Sequence, residues 1–182
     1  MKRRRYIRQR AYDYQLFGTA RPITRVELEQ LRRALPWRDG LACAVMADTG
    51  LRVSDVLNLT RKGFKQTMTV RELKTGKLRT VRLSSQTYEE CLAYLRTTES
   101  EYVIDCHRST LWRSITSAAA AYGWEHVSPH SLRKLFACEY CAKHGIAATQ
   151  RELQHKNIGT TLRYLGDYNA IIAAVLAGIA GT

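Results

Sequence analysis

Six side chains of types suited to phosphate chemistry lie along the chain: Arg52, Lys74, His130, Arg133, His155 and Tyr164. Phosphodiester transfer needs positive charge against the non-bridging oxygens, a nucleophile, and a proton donor for the leaving oxygen. The planar donor fork of arginine matches phosphate oxygens, and a tyrosine oxygen can attack phosphorus and conserve the broken bond as a covalent ester. Arg52 follows a helix stop at Gly50, in Thr49-Gly50-Leu51-Arg52-Val53-Ser54-Asp55. Asp55, three residues on, is placed to orient that arginine from behind. Lys74 sits in the turn Lys74-Thr75-Gly76-Lys77. His130 and Arg133 are three apart near a helix start and so share a face. His155 lies in Leu153-Gln154-His155-Lys156-Asn157, and Tyr164 comes nine residues later in Thr160-Thr161-Leu162-Arg163-Tyr164-Leu165. Taken singly, each has an ordinary reading: a surface arginine, a turn lysine, a first-turn histidine, a core tyrosine.

The elements that must position these residues are legible from periodicity and punctuation. Thr24-Arg25-Val26-Glu27 is a capping box, followed by Leu28, Leu31 and Leu35 at helical spacing. An apolar helix spans about 39–49 and stops at Gly50, and a short one runs from about Ser54 to Leu59. The period then changes: Thr67–Leu73 and Leu78–Leu83 read as two strands of a hairpin. After Ser85 the helical period returns, with Tyr88, Cys91, Leu92 and Leu95 on one face. Leu111, Ile115, Ala118, Ala119 and Tyr122 mark the next helix, ended by Gly123. Ser128-Pro129 starts another, which runs to about Lys143 with Gly145 beyond it. Short helices about 148–153 and 160–167 and an apolar tail, 170–180, complete the reading. The expected fold is α+β, mainly α: a helical domain with one small antiparallel sheet.

The order of the six residues, Arg, hairpin Lys, His-x-x-Arg, His and then Tyr, resembles the active-site order of the tyrosine recombinase and integrase family. Three local matches between Thr24 and Tyr168 carry the resemblance. Thr-Gly-Leu-Arg-Val-Ser-Asp-Val-Leu is similar to the box around the family's first arginine, and His-Ser-Leu-Arg-Lys-Leu-Phe-Ala to its second box. Leu-Gln-His-Lys-Asn with Thr-Thr-Leu-Arg-Tyr is similar to the third. The resemblance implies a site-specific recombinase that cleaves and rejoins DNA through a 3′-phosphotyrosine. Arg52 and Arg133 would clamp the scissile phosphate and Tyr164 would attack it. Lys74 would protonate the departing 5′-oxygen, His130 would assist proton removal from the tyrosine, and His155 would hydrogen-bond the phosphate. No metal or other cofactor is required, and the chain has no Walker-type glycine-rich loop. A type IB topoisomerase shares this chemistry, and a catalytically idle DNA-binding regulator could share the fold. The intact set of six residues argues against the regulator.

Two departures from the family pattern stand out. Gln154 occupies the position where glycine usually precedes the histidine. Only 23 residues precede Thr24, where family members usually carry a helical DNA-clamping domain, so the chain resembles the short fimbrial-switch invertases or a trimmed catalytic domain. Residues 1–23 then read as a basic arm or linker, and 24–182 as the catalytic domain with a C-terminal tail helix at 170–180. The arm has Lys2, Arg3, Arg4, Arg5, Arg8 and Arg10 among its first ten residues. It reads either as a DNA-phosphate contact or as a solvated terminus.

The formal net charge of +13, from 29 Lys and Arg against 16 Asp and Glu, fits a polyanionic partner, here double-stranded DNA. Related recombinases donate a C-terminal helix to a neighbour, so segment 170–180 is expected to link protomers in a tetrameric synapse on DNA. Five cysteines without scaffold spacing, no signal peptide and no run of about 20 apolar residues give an expectation of a cytoplasmic protein without a membrane partner. Cys138 and Cys141, with His144 and the Cys106-His107 pair, could be read as zinc ligands, but within a helix they read better as small packing residues.

Overall fold

A computed structural model describes residues 20–154 of the chain. His155, Tyr164, the basic arm, the helix expected about 160–167 and the tail 170–180 lie outside the described residues. The elements are α1 (Arg25–Ala34), α2 (Trp37–Thr49), α3 (Val53–Leu57), a 3-10 turn (Arg61–Gly63), β1 (Thr67–Arg71), β2 (Leu78–Arg82), α4 (Ser85–Leu95), α5 (Arg108–Ala121) and α6 (Pro129–Glu152).

The centre of the fold follows from one sequence. WRDGLACAVMADT in α2 is apolar on nearly every side, and ten of its 13 residues are buried. A helix of that kind has to be surrounded, and α1, α3, α4, α5, α6 and β2 all pack against it. Helix α1 starts as the capping box requires. Thr24 Oγ1 accepts from the Glu27 amide at 3.1 Å and Glu27 Oε2 accepts from the Thr24 amide at 2.8 Å, while Leu28 and Leu31 face α2. Ser84 caps α4 by accepting from the Thr87 amide. Helix α5 presents Leu111, Ile115 and Ala119 to the core. Tyr122, expected on that face, is instead 45% exposed and stacks on Trp124 at 4.7 Å. It follows the end of α5, where the chain has left the helical period.

The hairpin pairs β1 and β2 antiparallel, with Met68 opposite Val81 and Val70 opposite Arg79. Residues of that parity face inward, so Arg79 is 6% exposed, beside Met68 and Val81. Helix α6 opens on the expected Ser128-Pro129 start. It breaks at Gly145 (φ 80°, ψ 169°) and resumes at once. Cys138 is buried in it and Cys141 half-buried. Among the described residues no group of three or more His, Cys, Asp or Glu side chains could hold a metal ion, and no helix is long and apolar enough to cross a membrane.

Candidate active site

The turn after α2 is the anchor of the site. Gly50 takes the left-handed conformation (φ 62°), and its amide donates to the Met46 carbonyl at 2.8 Å. A Cβ there would meet Phe136 Cδ1 of α6 at 2.3 Å, so both the dihedral and the packing demand glycine. Two residues on, Arg52 takes the N-cap position of α3, its carbonyl accepting from the amides of Asp55 and Val56. From the opposite side, Arg133 of α6 donates through NH1 to the Gly50 carbonyl and through NH2 to the Leu153 carbonyl at 3.0 Å. Arginines far apart in sequence are thus fixed to one turn.

Behind Arg52 lies a residue that the sequence reading did not single out. Glu72 follows β1 with the parity of Met68 and Val70, and it is fully buried. Its Oε2 accepts from Arg52 NH1 at 2.6 Å and its Oε1 from Arg79 NH1 at 3.2 Å. Burial would push the carboxyl upward, but the Arg52 hydrogen bond and the charges of Arg52, Arg133 and Arg79 outweigh it and hold the group below its ordinary value. Asp55, expected to orient Arg52, comes within 4.0 Å of its NH1. Its Oδ1 accepts instead from the Leu73 amide at 2.9 Å, which latches the hairpin turn onto α3 and sets where Lys74 emerges.

The result is an open cleft of about 480 Å³ lined by Arg52, Lys74, His130 and Arg133, with Arg108 and Trp112 of α5 on its far wall. Lys77, the other turn lysine, does not line it, nor does any acidic side chain among the described residues. Arg108 and Trp112 carried no signal in the sequence beyond their place at the start of a helix. Trp112, half exposed, points an aromatic surface toward the basic residues. The His130 ring keeps an open face, yet its surroundings favour the neutral form. Partial burial acts first, and the charges of Arg133, Arg108, Arg52 and Lys134 add to it, so its pKa is lowered from 6.5. A neutral imidazole among fixed cations can take up a proton, while the arginines suit a bound phosphate.

Gln154, which departs from the family's glycine, keeps the backbone that glycine would take: its φ is 54°. Its side chain reaches the hairpin, where its Oε1 accepts from Thr75 Oγ1 at 3.3 Å.

The chain is 32% identical over 130 residues to "Probable integrase/recombinase YoeC" of Bacillus subtilis, covering 65% of this chain and 72% of that protein. It is also 32% identical over 163 residues to tyrosine recombinase XerA of Pyrococcus furiosus, covering 78% of this chain and 56% of XerA. It therefore spans little more than half the length of that relative. The crystal structure of XerA recombinase matches with a TM-score of 0.67 at 26% identity, covering 79% of this chain and 59% of that one. The lambda integrase catalytic core shares the fold, with a TM-score of 0.61 at 22% identity over 74% of this chain and 91% of that one. The model of the phage integrase family matches residues 23–170, a span that takes in the whole cleft, and the chain belongs to that family.

Proposed function

We propose that this protein is a site-specific DNA recombinase that cuts and rejoins strands through a 3′-phosphotyrosine intermediate. The observation that carries the reading is the cleft. Arg52, Lys74, His130 and Arg133 come from separate stretches of sequence, yet they line one opening whose charged residues, among those described, are all basic. In this reading Arg52 and Arg133 neutralise the non-bridging oxygens as charge builds in the transition state. Tyr164 attacks phosphorus, His130 takes up the tyrosine proton, Lys74 protonates the 5′-oxygen as it leaves, and His155 hydrogen-bonds the phosphate. The roles of His155 and Tyr164 rest on the order of the boxes and on the family match that spans both. The tyrosyl ester conserves the energy of the broken bond, so religation needs no outside energy source.

The partner in this reading is double-stranded DNA in the cytoplasm, with several copies of the chain assembled on it. Lambda integrase has been solved as a dimer on a COC′ core site and as a tetramer on a Holliday junction, and XerH on difH. Residues 24–182 form the catalytic domain, segment 170–180 links protomers, and Lys2, Arg3, Arg4, Arg5, Arg8 and Arg10 of the arm add phosphate contacts.

The test is covalent capture. The protein is incubated with a nicked duplex library of random sequence, and adducts that survive denaturation are sequenced. A recurrent site, joined through its 3′-phosphate and lost with Tyr164→Phe, is the expected result. An adduct that survives Tyr164→Phe but vanishes with Tyr168→Phe moves the nucleophile, and no adduct at all rejects the reading.

A further inference from the structure

We infer that Glu72 is a positioning residue for the reaction, holding Arg52 at the angle from which it meets the scissile phosphate. The inference rests on the clamp role of Arg52 proposed above. Three observations carry it. The carboxylate is fully buried, so its geometry is set by the fold and not by solvent. Its oxygens divide the work: Oε2 receives Arg52 at 2.6 Å, and Oε1 receives Arg79 at 3.2 Å. The alternative partner, Asp55, stands 4.0 Å from Arg52 and has one oxygen committed to the Leu73 amide.

The physical need is plain. Arginine has several rotatable bonds, and a clamp is effective only if its fork is held before the phosphate arrives. The bond to Glu72 occupies NH1 while the side chain still lines the cleft. Thr75 Oγ1 also lies 3.2 Å from Oε2, its one proton shared between Glu72 and Gln154 Oε1. The acid that steadies Arg52 thus touches the turn carrying Lys74, so the clamp and the expected proton donor share one support.

A bare Glu72→Gln variant would also leave the buried Arg79 with only Glu152 and the Thr49 carbonyl as partners, and could lose stability for that reason. The experiment therefore uses Arg79→Met as its background, since an apolar side chain of similar reach removes the buried charge that needs Glu72. Single-turnover cleavage of the captured DNA site is measured at saturating DNA, alongside DNA affinity and thermal stability, with slow variants followed to completion. Arg79→Met alone should cleave normally. Arg79→Met with Glu72→Gln should remain folded and bind DNA equally well, yet cleave about a hundredfold more slowly, the scale for a reacting group misplaced by an ångström.

Adding Arg52→Ala closes a double-mutant cycle. Once Arg52 is gone, Glu72→Gln should cost nothing further. Normal cleavage by the Arg79→Met, Glu72→Gln variant overturns the inference, since Glu72 would then serve only Arg79. An undiminished hundredfold loss in the Arg52→Ala background overturns it too, because Glu72 would be acting elsewhere. Normal cleavage by Arg52→Ala itself would instead remove the clamp reading on which the inference rests.

Discussion

Gly50→Ala tests in one substitution whether the turn after α2 is as constrained as its geometry implies. Two costs can be worked from the structure. An L-residue with a side chain at φ 62° takes on the left-handed penalty, about 1–2 kcal/mol. The new Cβ would also lie 2.3 Å from Phe136 Cδ1 and 2.8 Å from its Cε1 and Cγ. The ring cannot swing away freely, since it packs against Tyr140 at 5.5 Å and under the Arg79 guanidinium at 5.7 Å. Overpacking of this kind costs about 1–3 kcal/mol. The two together give about 2–5 kcal/mol, or a fall in Tm of about 5–20 °C for a chain of this length. Because the Gly50 carbonyl holds Arg133, the turn cannot shift without moving that arginine, and cleavage should fall by about a hundredfold or more even where the protein is still folded. Urea denaturation and single-turnover cleavage on one preparation measure both. Adding Phe136→Leu should return part of the stability by clearing the collision while leaving the dihedral cost in place. A Gly50→Ala protein within about 0.5 kcal/mol of the parent would refute the reasoning on both counts.

Lys74→Ala should cut the cleavage rate by about 10² to 10⁴, and a 5′-phosphorothiolate, whose sulfur departs without a proton, should restore it. If Lys77→Ala shows the rescuable defect instead, the turn presents the other lysine. His130 is held below 6.5 by partial burial and then by neighbouring cations, so the acid limb of kcat/KM, which reports the free protein, should fall below pH 6.5. Removing a cation with Arg108→Ala should move that limb upward, and a limb at or above 6.5 in the parent would contradict the assignment of His130 as the base. Gln154→Gly should raise the Tm, because relief of a left-handed φ, about 1–2 kcal/mol, exceeds the worth of a 3.3 Å hydrogen bond to an exposed threonine. A lower Tm would mean that the contact to the hairpin outweighs the strain.

Much of the fold was legible because local chemistry and tertiary packing agree. The Thr24 capping box, the stop at Gly50, the hairpin alternation and the Ser128-Pro129 start each carry a backbone hydrogen-bond reason that holds within a few residues. Tyr122 was misplaced because apolar spacing was extended past the last helical residue, where the chain turns to stack Tyr122 on Trp124. In the site, Arg52, Lys74, His130 and Arg133 stood out by residue type and order, and Asp55 by its spacing from Arg52, whereas Glu72, Arg108 and Trp112 did not. Glu72 could have been found. Met68, Val70 and Glu72 share a strand face, and a carboxylate on the buried side of a strand needs a cation, which Arg79 supplies from β2. Arg108 and Trp112 offered no such clue, because only the packing of α5 beside α3 brings them to the cleft.

The distribution of charge explains how so basic a site can exist before its ligand arrives. Arg52, Arg79 and Arg133 crowd around one turn, and like charges at that density would repel and open the fold. Acids set among them in the cleft would relieve the repulsion, but they would also repel a phosphate and compete for the donor forks. The structure instead places the counter-charge behind the arginines. Glu72 is fully buried and Asp55 1% exposed, and neither lines the cleft. Burying a carboxylate is costly unless every oxygen is engaged, and Glu72 meets that condition with Arg52 on Oε2 and Arg79 on Oε1. Compensation from below leaves the charged side chains that line the cleft, among the described residues, all basic. It also makes the orientation of Arg52 and Arg133 a property of the folded chain, which is what the proposed phosphate clamp requires.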